Sequence, residues 1–98
     1  MTVTSKQRQF LRGLAHPLEP VVRVGKGGVT DAVVEETKKS LAAHELIKVK
    51  IESDDSGERK ELAAKLAAAT LSDLAGTVGK IAILYRARDD KPEIKLPK

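Results

Sequence analysis

The four residues Gly25-Lys26-Gly27-Gly28 are the part of this chain best suited to chemistry. Glycine reaches backbone conformations that other residues avoid, and it leaves no Cβ in the path of an approaching ligand. The preceding run Val21-Val22-Arg23-Val24 is short, β-branched and bounded by turn formers, so it reads as a strand. The following residues open a helix, with Thr30 as its N-cap and Asp31 near the positive end of its dipole. Unpaired N–H groups and a dipole converging at a helix start suit an oxygen anion, and Lys26 adds a full positive charge.

Three readings compete for this loop. A tight strand-to-helix connection with no ligand accounts for a bare G-x-x-G, and spacing alone favours it. A nucleotide site fails on spacing. The Walker pattern places Gly-Lys-Ser/Thr after its first glycine and a four-residue spacer, and no such triplet follows here; the dinucleotide pattern G-x-G-x-x-G would need glycine where Thr30 stands. The third reading is a clamp on a nucleic-acid backbone, as made by the GXXG loop of KH domains.

Other side chains could extend such a clamp. Arg8 and Arg12 are spaced i, i+4 on the first helix, beside its apolar stripe, and with Lys6 they form either a phosphate track or a solvated helix face. Arg23 lies at the end of the strand that feeds the loop. Lys48 and Lys50 project from one side of an alternating strand. If all helices pack on the other side, these lysines form an open basic surface; if helices cover both sides, they must snorkel. His16 and His44 lack a second ligand at metal spacing, so structural roles are expected and no metal site. Asp54-Asp55 reads as a turn, because a hydrolytic carboxylate pair needs a lined cleft.

Composition narrows the classes further. Ninety-eight residues with 41% hydrophobic content can close one core, so a single domain over residues 1–98 is expected. The only aromatics are Phe10 and Tyr85, which excludes a rack of stacking rings and leaves backbone and charge as the means of gripping RNA. Cysteine is absent, which removes disulfides, thiolate nucleophiles and Cys-based metal sites. No long apolar run or secretory pattern is visible, so a cytoplasmic protein without membrane contact is expected. The net charge is +4, and all of the excess lies in residues 1–50, with nine Lys and Arg against five Asp and Glu. A polyanion would be drawn to that half.

The elements that position these groups follow from periodicity. Ser or Thr at positions 4 and 5 caps a first helix with Phe10, Leu11 and Leu14 inward, and His16-Pro17 ends it. A second helix turns Val33, Val34, Thr37 and Leu41 inward, and residues 45–52 alternate as a strand. A third helix spans about 58–70 with Leu62, Leu66 and Ala69 inward. Residues 73–78 and 81–86 form a hairpin turned at Gly79-Lys80, of type II′. The tail at 89–98 either adds an edge strand or stays loose. The fold class is therefore α/β, one compact domain in the order α-β-α-β-α-β-β. Two crossovers imply parallel pairing and the hairpin is antiparallel, giving a mixed four-stranded sheet packed with helices.

Several blocks in this order resemble one family. The run from Gln7 to Ala32, with Leu11-Arg12-Gly13-Leu14-Ala15-His16 and the Gly25-Lys26-Gly27-Gly28 loop, is similar to the CRM domain, and within it to the bacterial single-domain YhbY-like proteins. His44 to Ile51, Gly79-Lys80-Ile81 and Leu84-Tyr85-Arg86 match as well, and the loop motif shows no departure. The resemblance implies a fold related to the C-terminal domain of translation initiation factor three. It also implies an RNA-binding protein associated with precursors of the large ribosomal subunit, and we expect a monomeric, non-enzymatic assembly factor without cofactor or small-molecule substrate that binds precursor large-subunit ribosomal RNA. The alternative is a protein-interaction module docking on a ribosomal or translational protein.

Overall fold

The structure, a computed structural model, describes residues 3–98. Helix α1, Ser5–Ala15, starts in a capping box: the Gln7 amide donates to the Thr4 hydroxyl at 3.1 Å, and the Thr4 amide donates to the Gln7 side chain at 2.9 Å. Then follow β1 (Pro20–Val24), α2 (Asp31–His44), β2 (Leu46–Ile51), α3 (Ser56–Ala69), β3 (Asp73–Val78) and β4 (Ile81–Tyr85), the order expected from periodicity. At the β3–β4 turn Gly79 has φ 58° while Lys80 stays out of the left-handed region, as a type II′ hairpin requires.

The four strands form one mixed sheet in the order β1-β2-β4-β3. β1 and β2 are parallel, and β4 is antiparallel to both of its neighbours. The second crossover differs from the simple expectation, because β3 runs parallel to β2 without pairing with it. β4 lies between them. Four of the five β4 residues are buried, whereas β3 carries Gly76 and exposed Thr77 and Val78, so the more apolar strand takes the central place.

Alternation along the strands divides the core between two faces. On one face Val22, Val24, Ile47, Val49, Ile51 and Leu84 meet Leu41 of α2 and Ala63, Leu66 and Ala67 of α3. On the other, Leu46, Ile83 and Tyr85 lie under Leu11 and Ala15 of α1.

Three expected details change. In α1 the buried pair is Leu11 and Ala15, while Phe10 and Leu14 are 39% and 41% exposed, because the helix rests on the sheet along a narrow i, i+4 line. In α3, which starts at Ser56 behind an Asp55 N-cap, Ala63 and Ala67 face inward and Ala69 is exposed. The tail is neither a strand nor loose: Ile94 and Leu96 pack on the α1 face of the sheet. Its backbone is held by Glu45, a buried residue at φ 62° just past α2.

Candidate functional site

β1 runs out at Val24, which pairs with Ile51 and accepts a hydrogen bond from the Glu52 amide at 2.9 Å. The chain then closes a short turn, with the Gly28 amide donating to the Gly25 carbonyl at 3.0 Å and the Thr30 amide to the Gly28 carbonyl at 3.1 Å. Gly28 sits at φ 73°, the left-handed region that glycine occupies without steric cost. A Cβ on Gly25 would meet open space and one on Gly27 only the Thr30 methyl at 3.5 Å, so neither glycine is demanded by packing.

The turn presents its backbone outward. Lys26 and Gly27 are exposed, and the amides of Lys26, Gly27 and Val29 donate to no other protein group among the described residues. Thr30 caps α2, accepting from the Val33 amide at 3.2 Å, so its oxygen is engaged while its hydroxyl proton is free to donate. The result is an exposed lysine and unpaired amides beside a helix N-terminus, which can hold the oxygens of an anion without a metal. Among the described residues, no cluster of His, Asp and Glu could bind a metal ion. Among the described residues, no helix is long and apolar enough to cross a membrane.

The structure brings together some of the other basic candidates. Arg23, Lys48 and Lys50 all project from the sheet face that α1 covers in part, and Arg23 and Lys50 are register partners. Helices pack on both faces, so an open basic sheet is not formed. Lys48 is half-buried and reaches the end of α1, where its ammonium donates to the His16 carbonyl at 3.0 Å, a favourable place for a cation. Lys50 is half-buried two residues further, toward the loop. Arg23 is exposed and pairs with Glu52 at 3.1 Å, a surface contact weak enough to be exchanged for a phosphate.

On α1 the candidates diverge. Arg12 crosses to the sheet and donates to the Ala75 carbonyl at 3.1 Å. Arg8 bends back to the Val3 carbonyl and the Ser5 hydroxyl, and Lys6 is exposed on the first turn.

Two cations at the loop's end of the sheet carry no linear signal. The Lys80 carbonyl accepts from the Ile51 amide at 2.7 Å, which fixes the hairpin beside the end of β2, and the Lys80 ammonium pairs with Asp54 at 3.1 Å. Arg59 of α3 donates to the Gly79 and Ser53 carbonyls at 3.0 and 2.7 Å. Only the insertion of β4 next to β2 brings the hairpin there.

Comparison with known proteins places the chain in a family. The CRS1 / YhbY (CRM) domain matches residues 3–86. The Probable RNA-binding protein YqeI of Bacillus subtilis is 37% identical over 95 residues, covering 97% of this chain and 99% of that protein. A protein named RNA-binding protein from Haemophilus influenzae is 39% identical over 97 residues, covering 99% and 97%. The solution structure of SAV1595, a hypothetical protein of Staphylococcus aureus described as RNA binding, superimposes with a TM-score of 0.87 at 37% identity, covering 97% of this chain and 99% of that one.

Proposed function

Because this chain belongs to the CRS1/YhbY (CRM) domain family, we propose that it is a non-enzymatic RNA-binding protein that grips a phosphate backbone with Gly25-Lys26-Gly27-Gly28. The observation that carries this reading is the outward-facing loop, with free amides at Lys26, Gly27 and Val29 at the start of α2. The phosphate track continues from the loop to Arg23, Lys50, Lys48 and Arg12, with Arg8 and Lys6 contributing further along α1. The Thr30 hydroxyl donates to the same phosphate that meets the loop.

The RNA is precursor large-subunit ribosomal RNA, and the protein acts as an assembly factor in the cytoplasm. The scarcity of aromatic side chains supports recognition through backbone and shape. One observation favours a protein partner as a second reading: Phe10, Leu14, Leu18 and Val21 are all exposed, and the last three line a cleft of about 450 Å³ with Ile94.

Each phosphate contact releases counterions, so RNA affinity must fall as salt rises. Replacing Lys26 with Ala is expected to lower the log–log salt slope by about 1, measured by titrating a structured RNA at several salt concentrations. An unchanged slope would remove Lys26 from the phosphate contacts.

A further inference from the structure

A small cleft of about 140 Å³ opens between the C-terminal end of α1 and the sheet, lined by Arg12, His16, Lys48, Val78, Ile81 and Ile83. Its apolar side is formed by three residues of β3 and β4 that share the α1 face of the sheet. Val78 pairs with Ile81 in register, and it is 64% exposed although it is a β-branched strand residue. Its polar side carries hydrogen-bond donors from α1 and β2, and no carboxylate lines the cleft.

These donors are fixed before a ligand arrives. The Lys48 ammonium is tied to the His16 carbonyl at 3.0 Å, and the Arg12 guanidinium to the Ala75 carbonyl at 3.1 Å. The stem of Arg12 lies flat on Gly76, where a Cβ would come within 2.8 Å of Arg12 Cδ, so glycine at that bulge is what lets the arginine take this path. Side chains held in place in this way lose little freedom on binding.

The geometry points to this cleft as the seat of one unpaired nucleobase, an inference that rests on the RNA-binding reading of the loop. A base brings a flat apolar face and a polar edge. The face fits the Val78, Ile81 and Ile83 surface with the His16 ring or the Arg12 plane against it, and an unstacked base is commonly held in that way. The edge meets a site rich in donors, which suits adjacent acceptors such as O6 and N7 of guanine. The cleft also continues the phosphate track. Lys50 is the register partner of both Ile81 and Arg23, so Arg23 lies two strands from Ile81, about 10 Å across the sheet. A few nucleotides of chain span the way from loop to cleft, so one strand can be gripped at Lys26 and read at His16.

The test uses three RNAs of one hairpin sequence: fully paired, with a single bulged guanosine, and with an abasic residue at the bulge. The full-length protein should bind the bulged guanosine about tenfold more tightly than either of the others. His16→Ala should abolish this preference and leave affinity for the paired hairpin nearly unchanged, Gly76→Ala should abolish it and also weaken the paired hairpin because it shifts Arg12 on the phosphate track, and Lys26→Ala should weaken all three alike. His16→Ala alone decides if the Gly76 variant fails to fold. Equal wild-type affinity for the three RNAs would overturn the cleft assignment and leave the loop reading standing. A preference that survives in His16→Ala would place the base elsewhere, and binding to none of the three would overturn both.

Discussion

Gly27→Val should lower RNA affinity by about 10- to 100-fold while the protein stays folded. A side chain there would stand among the free amides of Lys26, Gly27 and Val29, and losing one hydrogen bond to a charged oxygen is worth about 1.5–3 kcal/mol. The fold tolerates the change, because Gly27 has no left-handed φ and its Cβ would meet only the Thr30 methyl. Gly28→Val should lose binding and stability together. At φ 73° a β-branched residue is strained by about 1–2 kcal/mol, and its Cβ would face Leu62 at 3.7 Å. Reading unfolding midpoint and RNA affinity side by side separates the two. Gly27→Val binding RNA as tightly as the wild type would reduce the loop to a connector.

Glu45→Ala should destabilise the protein by about 3 kcal/mol and free the tail. The Glu45 carboxylate is fully buried and accepts from the amides of Arg88, Glu93 and Ile94 at 2.8, 2.7 and 3.0 Å. Its removal leaves three donors without an acceptor unless the tail lifts into water, and lifting strips Ile94 and Leu96 from the core. Burial pushes the Glu45 carboxyl upward, but the three amides and the Arg88 charge outweigh it and hold the group below its ordinary value of 4.5. Its folded value therefore lies beneath its unfolded one. The stabilisation is complete above about pH 4.5 and is lost as the pH falls through the folded value. Hydrogen exchange should show residues 88–94 losing protection on acidification before the sheet does, with no such acid-dependent step in Glu45→Gln. Tail amides that stay protected in Glu45→Ala would contradict this account of the anchor.

The sequence is most legible where one element carries its whole signal. The alternation of Leu46 to Ile51 and the caps at Thr4 and Thr30 rest on residues a few positions apart. In α3 alanines lie on every side, so Ala63 and Ala67 cannot be told from Ala69 by periodicity. Phe10 and Leu14 form a good apolar stripe with Leu11, but the helix turns only Leu11 and Ala15 to the sheet. Glu45 reads as the start of a strand, because the amides it gathers lie 43 to 49 residues further on. The candidate site divides in the same way. The glycines and Lys26 are contiguous and visible, while the nearness of Arg12, Lys48, Lys80 and Arg59 depends on β4 entering between β2 and β3.

On the proposed reading, the loop at 25–28 meets ribosomal RNA in the cell. Crosslinking the protein to RNA in living cells, sequencing the attached RNA and mapping the crosslinked peptides tests it most directly. The expected result is enrichment of precursor large-subunit ribosomal RNA with crosslinks concentrated at residues 23–31. Crosslinks to proteins alone, centred on Phe10, Leu14, Leu18 and Val21, would contradict it.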